Sequence, residues 1–226
     1  MSVTDKALTL DVSDKAGSVS ALLQRPRGAK ALYVLAHGAG AGMHHDFMVG
    51  IAELLHARKV ATLRFQFPYT ERGGKRPDPQ KWLLATVEAA VAAGRKAMRG
   101  AAVFGGGKSM GGRMTSIVAA GDSPAAGALA GLVFLGFPLH APGKDGTDRA
   151  AHLPDIETPM LFVQGTRDKL ARIDLITQVV DDLPKGQIHV IDDGDHSFNV
   201  PKRAGRTKDE VWTDIVDAVA AFVAQT

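Results

Sequence analysis

No cysteine occurs in the 226 residues. Its absence removes disulfide bridges, thiolate metal sites and a cysteine nucleophile together, and it fits a reducing compartment. Any nucleophile has to be another side chain. Long apolar runs are missing too: no stretch of about 18 apolar residues appears, and residues 1–30 carry no apolar segment after a basic start. Neither a membrane span nor a signal peptide is legible, so the expected location is the cytoplasm. The chain also lacks a basic stripe. Its net charge is +3 and its pI about 9.2, yet clusters such as Lys202-Arg203 and Arg206 are interrupted by apolar residues and acids, with no reader motif beside them. Nucleic acid is not an expected partner.

What remains is 45% hydrophobic and 23% charged. That is enough to bury one core, and the length favours a single domain over 1–226. Short apolar runs of strand length lie at 33–36, 61–65, 101–104, 132–135, 160–163 and 188–191, each close to turn residues. Two weaker strands, near 8–12 and 20–23, precede them and suit an antiparallel hairpin at a sheet edge. Helical patterns alternate with the strands at 45–58, 80–98, 110–120, 173–183 and 208–224. The last sets Val211, Ile215, Val216, Val219 and Phe222 on one face. This alternation predicts an α/β fold with a mostly parallel sheet and helices on both faces. A polar segment at 139–159 is too short for a cap domain and is expected to form a rim of the pocket.

The strongest local signal is Gly107-Lys108-Ser109-Met110-Gly111, following the apolar run Val103-Phe104 and preceding a helical pattern. It matches G-x-S-x-G, in which a serine stands on a tight strand-to-helix turn and flanking glycines make room for neighbouring backbone. The free N–H groups at the start of the helix then favour negative charge on a reacting oxygen. A phosphate-binding loop competes for Gly107-Lys108-Ser109, but that motif needs glycine five positions before Gly107, where Ala102 stands. The glycines at 38, 40 and 42 likewise miss G-x-G-x-x-G, since Met43 and His45 occupy the required places.

A serine nucleophile needs a base, and His196 follows the last apolar run in Asp192-Asp193-Gly194-Asp195-His196. The orienting acid is read as Asp168, just past the preceding strand, with Asp145, Asp148 and Asp195 as rivals. Ser109, Asp168 and His196 then occur in the chain order Ser…Asp…His. The N–H groups of Met110 and Ala39 are expected to form the oxyanion hole, Ala39 lying in the small-residue loop after the first central strand. Phe67, Tyr69, Phe137, Leu139 and Phe198 are candidate substrate-binding residues, and Arg113 is read as half of an ion pair. His37, His44, His45 and Asp46 match no metal-ligand spacing, so neither metal nor other cofactor is expected.

Taken together, His37-Gly38-Ala39-Gly40, Phe65-Gln66-Phe67-Pro68-Tyr69, Gly107 to Arg113, Gly136-Phe137-Pro138-Leu139, Gln164 to Asp168 and Gly194 to Phe198 resemble the α/β hydrolase superfamily over nearly the whole chain. Within it they are similar to the small KAN/testis-expressed-protein-30 group, akin to the dienelactone hydrolases. The resemblance implies a single-domain fold without a cap. Dienelactone hydrolases typically carry a cysteine where Ser109 stands, and the KAN-type group includes a chromatin-complex subunit. The expected function is accordingly hydrolysis of a compact carboxylic ester or thioester by a serine hydrolase. The competing reading is a binding or scaffolding protein on the same fold.

Overall fold

Successive side chains of a pleated strand enter opposite sides of the sheet. The computed structural model describes residues 5–225 and orders eight strands as β1-β2-β4-β3-β5-β6-β7-β8. β1 (Lys6–Ser13) and β2 (Gly17–Gln24) form the antiparallel edge, as the weak N-terminal pattern suggests. β3 (Ala31–Ala36), β4 (Val60–Phe65), β5 (Ala102–Lys108), β6 (Gly131–Leu135), β7 (Met160–Gly165) and β8 (Gly186–Ile191) run parallel to one another, and β4 meets β2 antiparallel. In β3, Leu32, Val34 and Ala36 enter one apolar core while Tyr33 and Leu35 enter the other, and β6 and β7 alternate likewise. This two-residue period is what a sheet covered on both faces requires.

Helices close both sides. α1 (Asp46–Ala57) and α6 (Lys208–Gln225) cover one face, where Val211, Ile215, Val216, Val219 and Phe222 are buried as their helical spacing predicts. On the other face lie α3 (Gln80–Ala97), α4 (Met110–Ala119) and α5 (Ile173–Asp181), while the four-residue α2 (Pro68–Glu71) escapes the periodicity reading. A helix that short holds about one turn, and its signal is only the proline at its start. Among the described residues no helix is long and apolar enough to cross a membrane.

The parallel register brings Ala36 beside Gly107 and Phe65, Lys108 beside Leu135, and Gly165 beside Ile191. The loops that follow these residues therefore meet at the carboxyl edge of the sheet, the side on which ligands bind in open α/β sheets. The 139–159 segment behaves differently from its expectation. Leu139, Ala150, Leu153 and Ile156 are buried in the core on the α3–α5 face, and His152 Nε2 lies 2.7 Å from Ser116 Oγ of α4. Its apolar residues recur often enough to anchor it in that core, beside α4 and α5, and it contributes no residue to the cavity wall described below.

Candidate active site

Ser109 ends β5 and starts α4 with φ 49° and ψ −117°, a left-handed backbone that an L residue seldom adopts. The neighbouring glycines make that turn possible. A Cβ on Gly107 would stand 2.1 Å from the Ala36 carbonyl oxygen, and one on Gly111 2.6 Å from the carbonyl oxygens of Ala36 and His37. Both are backbone clashes that no side-chain movement relieves. The Ser109 N–H donates to the Leu135 carbonyl at 3.1 Å, so the turn is tied to β6 as well.

Two loops supply the partners of this serine. His196 Nε2 lies 2.8 Å from Ser109 Oγ, and His196 Nδ1 lies 2.8 Å from Asp168 Oδ2. The Asp168 side chain is fully buried, while the imidazole is 25% exposed. Asp168 is also held by two donors besides the imidazole: Gln164 Nε2 at 2.6 Å on Oδ2 and the Leu170 N–H at 2.8 Å on Oδ1. Gln164 in turn accepts from the Phe137 N–H at 3.0 Å, linking the carboxylate to the loop after β6. The sequence places Gln164 in the Gln164-to-Asp168 motif but assigns it no role, because its importance comes from strand adjacency. The rival acids lie elsewhere. Asp145 is an exposed ion-pair partner of Arg172, Asp148 is exposed, and Asp195 Oδ1 accepts from the Ser197 and Asn199 N–H groups of its own loop.

The two expected oxyanion donors lie on segments beside Ser109. Met110 is the first residue of α4, where a helix N–H has no intrahelical acceptor, and Ala39 lines the cavity beside Ser109. The loop carrying Ala39 is held by His37, which is fully buried. Its Nδ1 lies 2.8 Å from the Gly38 carbonyl and its Nε2 accepts from the Phe67 N–H at 3.2 Å. Tyr69 takes part as well, its hydroxyl accepting from the Gly40 N–H at 3.2 Å.

Burial lowers His37 to about 4, with the Gly38 carbonyl opposing the shift and His45 adding to it. The native ring thus stays neutral where an unfolded one, near 6.5, is charged. Stability from this group is fully present above about 6.5 and is lost as pH falls toward 4, amounting to about 3 kcal/mol over that window. His152, lowered by burial and by Arg113, acts in the same direction. The expected outcome is a urea midpoint that drops between pH 6.5 and 4, less steeply in His37→Gln. Equal slopes in the two proteins would refute the assignment.

The cavity at Ser109 measures about 560 Å³, and its apolar wall comes from Phe47 and Met48 of α1, Trp212 of α6 and Leu170. Phe198 stacks on Phe47 at 5.8 Å, and Phe47 meets Trp212 edge-on at 5.5 Å. The five candidate substrate-binding residues need correction: Phe67, Tyr69, Phe137, Leu139 and Phe198 are at most 2% exposed and none lines the cavity. Their side chains turn into the core; Phe67 packs against Phe65 and His37, and Phe137 against Phe134 and Phe162. Phe47 and Trp212 line the wall instead, although a helical wheel gives no reason to separate them from core positions. Arg113 is also corrected. Among the described residues it forms no ion pair, and a charge that acts on it, Arg149, is of the same sign.

No group of three or more His, Cys, Asp or Glu side chains able to hold a metal occurs among the described residues. His45 Nδ1 instead accepts from the Phe47 N–H and caps α1.

A serine on a strained strand-to-helix turn, at the carboxyl edge of a mostly parallel sheet, defines a class of hydrolase-fold proteins. The chain belongs to the alpha/beta hydrolase domain family, which it matches over residues 29–224. Solved structures share the fold. A dienelactone hydrolase from Anabaena variabilis superposes with a TM-score of 0.78 at 18% identity, covering 100% of this chain and 99% of that one. An a/b serine hydrolase without lid from Xanthomonas campestris gives 0.71 at 18% identity, with 100% and 96% covered. Est1E from Butyrivibrio proteoclasticus, in a structure with ferulic acid bound, gives 0.73 at 18% identity, with 97% and 100% covered.

Proposed function

We propose that the protein is a serine hydrolase that cleaves a carboxylic ester or thioester of a compact acyl group through an acyl-enzyme on Ser109. The observation that carries this reading is the chain of 2.8 Å contacts from Ser109 Oγ through the His196 ring to Asp168, opening on a cavity. His196 Nε2 takes the hydroxyl proton as Oγ attacks the acyl carbonyl, and Asp168 holds the proton on Nδ1 and stabilises the imidazolium. The carbonyl oxygen becomes an oxyanion facing the Met110 and Ala39 N–H groups. His196 then gives its proton to the departing alcohol or thiol. Water, deprotonated by the same nitrogen, attacks the acyl-enzyme, and collapse of the second oxyanion releases the acid and restores Ser109.

Within the α/β hydrolases we assign the chain to the KAN/testis-expressed-protein-30-like group, on its Gly107-to-Arg113 and Gly194-to-Phe198 motifs, and to the cytoplasm. A cavity near 560 Å³ is small-molecule sized and suits short acyl chains. The test is labelling with a fluorophosphonate together with a series of p-nitrophenyl esters. The expected result is one label, on Ser109, and a higher kcat/KM for butyrate than for palmitate. No label and no turnover across the series would leave a hydrolase fold used for binding.

A further inference from the structure

The side chain between Gly107 and the serine is a lysine, and the mechanism above leaves it unused. Lys108 is the last residue of β5, and its stem lines the cavity: a Cβ on Gly38 would meet its Cγ at 3.6 Å. The amine turns away from that cavity. Its Nζ is buried, has no hydrogen-bond acceptor among the described residues, and sits 5.5 Å from the centre of the Phe198 ring. Gly136, at φ +70°, opens the space it occupies. A Cβ there would stand 3.0 Å from Nζ, 3.4 Å from the His196 carbonyl oxygen and 3.6 Å from Asp168 Oδ2. The amine therefore shares one small space with the buried carboxylate and the main chain of the base.

An amine sealed from the cavity cannot hold substrate, and a buried ammonium is tolerated only where other charges compensate it. Here the compensating charges are Asp168 first and Asp195 second. Nearby, Arg167 and Lys169 on the loop after β7 are exposed, and Asp193 is bonded to the exposed Arg203. Across the cavity stand His45, Asp46 and Lys208, the last over the Trp212 ring at 4.0 Å. Lys108 is thus the buried cation beside the Asp168–His196 pair. We infer that Lys108 is a positioning residue, a buried counter-charge to Asp168 that sets the pH range in which the Ser109–His196 pair works. A positive charge beside an imidazole disfavours its protonated form. The role in pH dependence rests on the serine-hydrolase reading; the coupling to Asp168 does not. Burial lowers the amine to about 8, against the pull of Asp168 and Asp195, so this charge begins to disappear on the alkaline side.

Two measurements test the inference. Lysine side-chain carbon NMR should show one ε-methylene signal titrating near 8, assigned to Lys108 by its loss in Lys108→Arg or Lys108→Gln. In Asp168→Asn its midpoint should fall by about one pH unit, because a nearby carboxylate no longer favours the charged amine. Separately, in Lys108→Met the acidic limb of kcat/KM for p-nitrophenyl acetate should move about one pH unit higher, whereas Lys108→Arg keeps it near wild type. An unchanged Lys108 midpoint in Asp168→Asn overturns the inference, and so does an acidic limb that stays in place in a folded Lys108→Met. If Lys108→Met does not fold by circular dichroism, the NMR comparison decides. Coupling without any ester turnover by the wild type would sink the hydrolase reading and leave the Lys108–Asp168 coupling standing; turnover without coupling would do the reverse.

Discussion

Ser109→Ala is expected to lower kcat for any ester the wild type hydrolyses by about 10⁴-fold or more, with the remainder due to oxyanion stabilisation and binding. The loss is chemical. Alanine keeps the Cβ and so asks nothing new of the φ 49° backbone, and the Ser109 N–H bond to Leu135 is unaffected. Only one oxygen, 2.8 Å from His196 Nε2 and facing the cavity, disappears. The melting temperature should stay within a few degrees of wild type, as for a substitution that creates no core cavity. Equal rates for the two purified proteins would mean that turnover arises elsewhere.

The second large effect is expected at Asp168. Its carboxylate accepts from three groups, His196 Nδ1, Gln164 Nε2 and the Leu170 N–H. An asparagine has one oxygen for the two donors now sharing Oδ2, or turns an N–H₂ toward them. In the second orientation the imidazole is driven to the tautomer that carries its proton on Nε2, facing Ser109, where it can no longer accept. Asp168→Asn should therefore reduce kcat by about 10⁴-fold. The same change at Asp145 or Asp148 should alter it little, since both are exposed and neither touches the imidazole. At Asp195, asparagine preserves a carbonyl oxygen for the Ser197 and Asn199 N–H groups, and a small loss is expected. The four variants assayed on one ester decide the matter: collapse at one of the other three, with Asp168→Asn near wild type, would show that the acid has been misassigned.

Much of this is legible in the sequence, and the reasons are physical. Strands buried on both faces must read as short continuous apolar runs, and helices with a buried stripe must show a period near 3.6, because burial of apolar surface selects the residues. The elbow is equally direct. Backbone oxygens within 2.1–2.6 Å of a would-be Cβ demand glycine at 107 and 111, so the turn geometry is encoded in the residues themselves. The positions after strands were harder. Phe67, Tyr69, Phe137, Leu139 and Phe198 are apolar and close to the carboxyl edge in sequence, a description that fits a pocket and a core equally. The direction in which each ring turned separated the two.

By itself, then, the sequence determined the α/β layering, the serine on its turn, and the order in which the candidate acid and base follow it, since each depends on local chemistry or on periodicity. Tertiary structure alone decided which aromatic residues form the cavity wall, because Phe47 and Trp212 belong to different helices that meet only when the chain is folded. It also decided that the 139–159 segment packs on the core, and that Gln164 and the Lys108 amine converge on Asp168. Those contacts join residues on different strands and loops. Their energies come from burial and from charge at short distance, and neither exists until the strands stand side by side.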